Sequence, residues 1–157
     1  MRTKDGSYVI PIYRLELVKE SETLVRPVSS PHELAIQMKE LALSDREQMV
    51  CIHLDTKNRP IGRQTVSIGA LDHAIVTPRE VFKAAFLSNA RSIVLTHNHP
   101  SGDVTPSEED DRLTHLLAKA GRLVGITLLD HVILGPGGDF LSYQSVKPWL
   151  LEGGEEP

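Results

Sequence analysis

Apolar and polar positions change period several times along this chain, and each change marks a predicted element. The stretch IYRLELV, residues 12–18, alternates well enough for a half-buried strand. SPHELAIQMKELAL follows, with Leu34, Met38 and Leu41 on one helical face. Ser30, Pro31 and Glu33 give that helix a capping box and a proline at its first position. EQMVCIHLD reads as a strand, TKNRP as a turn and IGRQTVSIG as the hairpin partner. In the second half Thr77, Pro78 and Glu80 open a helix over PREVFKAAFLSNA, and SIVLTHNH is a short strand that runs straight into two histidines. Ser107 opens a third helix that reaches about Val124. ITLLDHVILG is a long strand, GPGGD turns and FLSYQ pairs back. This order predicts an α/β domain in which a mixed sheet lies between helices.

Composition narrows the setting. A chain of 157 residues suffices for one compact domain and not for two. Aromatic residues make up only 4%, so Leu, Val, Ile and Ala must build the core. The single cysteine, Cys51, excludes an internal disulfide and fits a reducing compartment; in mid-strand it reads as a small core residue. MRTKDGSYVIPIYRLEL lacks the apolar run of a signal peptide, and no segment approaches the ~20 apolar residues of a membrane helix. The expectation is a cytoplasmic protein with no membrane partner. The pattern divides into an N-terminal strand extension (1–29), one domain (30–147) and a flexible acidic tail (148–157). Three of the 21 acids, Glu152, Glu155 and Glu156, lie in that tail, and the other 18 face 17 bases. Tight nonspecific binding to phosphates needs a basic face, and composition shows none.

Candidate chemistry concentrates in LTHNHPSGDVTPSEED, residues 95–110. On an extended segment side chains alternate, so His97 and His99 share one face and Asn98 takes the other. Pro100, Ser101 and Gly102 allow the chain to fold back, and the helix opened at Ser107 can bring Asp110 over the same spot. Two histidines and one carboxylate match a catalytic zinc, one per chain, with the fourth tetrahedral position left for water. Each piece has a plainer reading too: Ser107-x-x-Asp110 is an ordinary helix start, and a lone His-x-His is commonly just hydrogen-bonded. His32, His53, His73 and His115 read as structural or exposed. Asp130-His131 reads less clearly and could simply be a strand that packs near the site.

The spacing His-x-His, seven residues, Ser-x-x-Asp resembles the JAMM motif of the MPN or JAB metallohydrolase superfamily. Within it, THNHPSGDVTPSEED together with LDTKNRPI, TPREVFKAA and LLDHVILG is similar to the RadC family, over about residues 30–145. The resemblance implies a single MPN/JAB-like, cytidine-deaminase-like mixed sheet flanked by helices. It makes His97, His99 and Asp110 zinc ligands, places Ser107 where a hydroxyl helps hold the oxyanion, and makes Glu47 the upstream catalytic glutamate. Glu40 lies on the preceding predicted helix and Glu33 is committed to a cap. It further implies metal-assisted hydrolysis of a protein or peptide substrate, with a ubiquitin-like protein the expected partner. A DNA-associated role is the alternative. RadC proteins usually carry a helix-hairpin-helix region ahead of this domain, whereas here about thirty residues precede the first helix.

Overall fold

The computed structural model describes residues 10, 12–14, 16–21, 26–27, 29–69 and 76–154. In chain order the elements are α1 (Pro31–Gln37), α2 (Lys39–Ala42), β1 (Gln48–Leu54), β2 (Pro60–Ile68), α3 (Pro78–Leu87), β3 (Ser92–Asn98), α4 (Glu108–Val124), β4 (Thr127–Leu134), β5 (Phe140–Ser142), α5 (Tyr143–Val146) and α6 (Pro148–Leu151). The sheet runs β2-β1-β3-β4-β5. Only β3 and β4 are parallel, and α4 provides the crossover that a parallel pair requires.

Helices cover both faces of this mixed sheet, as the pattern predicted. On one face Met49, Cys51, Ile93, Leu95 and Ile133 pack against Val81, Phe82 and Ala85 of α3 and Leu117 and Ala118 of α4. On the other, Val50, Ile52, Val94, Val132 and Leu134 pack against Leu34, Met38, Leu41 and Ala42. Odd and even residues of β1 thus serve different layers. Central strands covered on both sides must be apolar almost throughout, and β3 is buried at all seven positions, polar Thr96, His97 and Asn98 included.

The three sequence-marked helix starts all form. Ser30 accepts from the Glu33 amide, Thr77 from the Glu80 amide and Ser107 from the Asp110 amide. Only the last is reciprocal: the Glu33 carboxylate turns to Ser29 and that of Glu80 to Lys83, so the box expected at Ser30 is a one-way cap.

Four expectations need correction. The described residues of the predicted strand at 12–18 form no strand, and Ile12, Tyr13, Leu17 and Val18 are exposed; alternation suits a sheet, but no described strand pairs with them. The single helix expected over 31–43 divides at Met38, although helical hydrogen bonds continue through it. FLSYQ gives only a three-residue strand, because the Ser142 hydroxyl caps a helical turn that takes up Tyr143 and Gln144. The region from 148, expected as a flexible tail, instead turns into α6 and buries Leu151 in the α3–α4 core layer. Residues 155–157 lie outside the described residues, as does His73.

Candidate metal centre

The site forms where β3 ends. Alternation works as the sequence implied: His97 is wholly buried on the α4 side, and His99, one residue past the strand, returns to the same side. Their Nε2 atoms lie 2.9 Å apart. From the first turn of α4, Asp110 brings Oδ1 to 3.2 Å from His97 Nε2 and Oδ2 to 3.6 Å from His99 Nε2. Glu47, immediately before β1, places Oε1 4.0 Å from His97 Nε2 at the open side of the cluster. One ligand atom each from Glu47, His97 and His99 falls within 4.8 Å of the others, close enough to share a cation.

The hydrogen bonds around the two histidines determine which nitrogen faces inward. His99 Nδ1 lies 2.6 Å from the Asp103 carbonyl oxygen, which can only accept, so Nδ1 carries a proton and, in the neutral ring, Nε2 is bare. His97 Nδ1 lies 2.8 Å from His131 Nε2, and its Nε2 points into the cluster. Asp110 Oδ1 is buried with no hydrogen-bond partner, whereas Oδ2 accepts from the Ser107 amide and hydroxyl, at 2.9 and 2.7 Å. Burial pushes the Asp110 carboxyl up, but His97 and His99 in their protonated forms, together with the Ser107 hydroxyl, outweigh it and hold the group far below the usual carboxylate range. When His99 takes up a second proton at Nε2, the facing Asp110 carboxylate stabilises it, which raises His99 above an ordinary histidine against the opposing effect of burial. An ionised, under-satisfied carboxylate beside inward-facing imidazole nitrogens suits a divalent cation.

Sequence reasoning named Glu47, His97, His99, Ser107 and Asp110, and the fold brings all five together. Ser107 differs in one respect from its expected oxyanion role: its hydroxyl hydrogen is directed at Asp110, so here it orients the carboxylate. Glu33 and Glu40 stand on α1 and α2, exposed and outside the cluster. Two participants, Asn98 and Thr114, were passed over, and a third, His131, was left open. Asn98, wholly buried, accepts from the Gln48 amide at 2.8 Å and donates to the Ser44 and Arg46 carbonyls, which pins the loop carrying Glu47. His131 and Thr114 back His97, with Thr114 Oγ1 2.6 Å from His131 Nδ1. The period-two alternation of His97-Asn98-His99 could have directed attention to Asn98; no sequence signal links positions 97, 114 and 131. Two further described histidines stand apart from the cluster: His53 is buried against Ser88 and His32 lies beside Phe140.

The architecture is therefore that of a three-layer α/β domain with a histidine–carboxylate cluster that could hold a metal ion at the end of its middle strand. The family model of the RadC-like JAB domain matches residues 28–147, and the chain belongs to that family. A UPF0758 protein of Halalkalibacterium halodurans is 46% identical over 123 residues, covering 78% of this chain and 52% of that one. One from Listeria monocytogenes is 50% identical over 123 residues, covering 78% and 54%. The chain spans about half the length of the curated relatives it matches. Among the described residues, no helix is long and apolar enough to cross a membrane.

Proposed function

We propose that this domain is a zinc-dependent hydrolase that cleaves the peptide or isopeptide bond following the C-terminal tail of a ubiquitin-like protein, or a similar extended tail. The observation that carries the reading is the convergence of two inward-facing imidazole nitrogens and an ionised buried carboxylate beside a second, partly exposed carboxylate. His97, His99 and Asp110 would hold the metal, which supplies Lewis acidity toward a carbonyl oxygen and toward water. Asp110 is preferred to Glu47 as the third ligand because it is buried and has one oxygen without a partner, whereas the Glu47 side chain is 23% exposed.

Glu47 then has the position of a general base. Its Oε1 takes a proton from the attacking water and returns it to the leaving amine. Asn98 holds the backbone on which that carboxylate rides. Ser107 keeps Asp110 oriented and stands close enough for its hydroxyl to turn toward the oxyanion of the tetrahedral intermediate.

Glu47→Gln tests the assignment. It should fold and keep about one zinc per chain by elemental analysis while losing hydrolysis of a ubiquitin-like fusion by a factor on the order of 10² or more. His97→Ala should lose both. A Glu47→Gln protein that cleaves like wild type removes Glu47 as the base; one that loses its zinc makes Glu47 a ligand instead.

A further inference from the structure

We propose that His131 and Thr114 are positioning residues that lock His97 into the tautomer whose Nε2 lone pair faces the metal centre. The inference rests on the metal-binding reading and adds residues that reading does not use.

A chain of hydrogen bonds runs inward from the Asp110 backbone. Thr114 Oγ1 lies 2.6 Å from the Asp110 carbonyl oxygen, one helical turn back on α4. A carbonyl can only accept, so the single hydroxyl hydrogen of Thr114 is committed to it. The same oxygen lies 2.6 Å from His131 Nδ1 and must be the acceptor there, which places the His131 proton on Nδ1. His131 Nε2 is then bare, and its 2.8 Å contact with His97 Nδ1 requires the His97 proton on Nδ1. His97 is left with an unprotonated Nε2, the atom nearest Asp110, His99 and Glu47. Each step excludes the other tautomer of the next group.

The surroundings preserve this order. Thr114, His131 and His97 are all wholly buried, so no water competes for their hydrogen bonds. Tyr143 stacks on His131 with centroids 5.1 Å apart and planes 10° from parallel. Its hydroxyl donates to Asp111 Oδ1 at 2.8 Å, and Lys147 holds the other oxygen of Asp111 at 2.5 Å. Outer partners of this kind commonly affect metal affinity by about 10–100-fold.

Two measurements test the inference. In the metal-free protein at mildly alkaline pH, long-range nitrogen–proton NMR correlations of the imidazoles should show His131 and His97 both as Nδ1–H tautomers. Finding the proton on Nε2 of either would overturn the proposal. Zinc titration against a chromophoric chelator should give an affinity about tenfold or more weaker for His131→Leu. Thr114→Val should weaken it in the same direction, and Thr114→Ser should restore it. His131→Gln, whose side-chain oxygen can stand in for the Nε2 acceptor, should bind better than His131→Leu. A purely structural role would lower stability while leaving the zinc affinity of the folded variants unchanged, and that result would also overturn the proposal. A wild-type chain with the stated tautomers but no zinc uptake removes the hydrolase reading and leaves the tautomer assignment standing.

Discussion

At the scale of single residues, the domain commits buried polar groups wherever it must hold something in place. Asn98 uses both ends of its amide to fasten the Glu47 loop, so its removal would leave two carbonyls and an amide without that partner. Asp130 performs the same service at the end of the sheet: Oδ1 accepts from the amides of His131 and Gln144, and Oδ2 accepts from the Ser142 hydroxyl at 2.6 Å. Burial raises its carboxyl above the ordinary 3.8, and those hydrogen bonds only partly offset it. A raised folded-state value means that just above pH 3.8 the folded chain retains a proton the unfolded chain has lost. Stability from this group is therefore lost as pH rises through that window and into the raised value. Asp130→Asn keeps an oxygen for both amides and turns an amino group toward Ser142, so it should fold. Its stability relative to wild type should improve as pH rises from about 3.5 toward neutrality, read from urea melts across the range. A pH-independent difference between the two proteins would refute this account of Asp130.

At the scale of elements, the decisive geometry is the seating of α4, which carries both Asp110 and Thr114. Gly121 is in the contact between this helix and the chain leading into β4. A methyl group there would come to 2.3 Å from the Ile126 carbonyl oxygen and 3.1 Å from Phe82. Gly125, which ends the helix with φ +77°, has open space around it. Gly125→Ala should therefore cost about 1 kcal/mol through backbone strain alone. Gly121→Ala should cost more, about 1–3 kcal/mol or beyond, because backbone must move. Urea denaturation checks the order, and equal losses would show that the helix can shift freely. Much of this element structure was legible beforehand because its causes are local: Ser30, Thr77 and Ser107 announce helix starts within four residues, and the face shared by His97 and His99 follows from strand period. What was missed depends on partners distant in sequence. The alternation at 12–18 was real, but a strand needs an edge to join. Leu151 becomes buried only because α3 and α4 leave it a place. The Thr114–His131–His97 chain is assembled by the β3–β4 pairing and the crossover, which no local pattern encodes.

At the scale of the whole molecule, the question is what reaches the candidate metal centre. β2 is one edge of the sheet, beside the strand that Glu47 precedes, and an extended tail can add to such an edge through backbone hydrogen bonds. That edge is uneven: the register passes from Met49 opposite Ser67 to Val50 opposite Thr65, so Val66 is an extra residue, and Pro60 begins the strand. A bulge near the site limits pairing between copies of the sheet while still leaving its end near Gly69 for a ligand. Charge also favours a peptide tail over a phosphate backbone. The chain is formally -4, and the first turn of α4, next to Asp110, carries Glu108 and Glu109, which share the single cation of Arg112, while Asp111 is paired with Lys147. Nucleic acid would be held against that acidic rim only by contacts elsewhere, and those release counterions. Oligonucleotide affinity that depended on several phosphate contacts would fall by about 10³ or more between 50 and 200 mM salt. Backbone pairing to an uncharged tail would change little. Titrating a ubiquitin-like protein and a single-stranded oligonucleotide into one zinc-loaded preparation at both salt concentrations should show cleavage of the tail with little salt dependence and only weak oligonucleotide binding. Tight, salt-steep oligonucleotide binding with every tail left intact would instead establish the DNA-associated role and refute the peptidase reading.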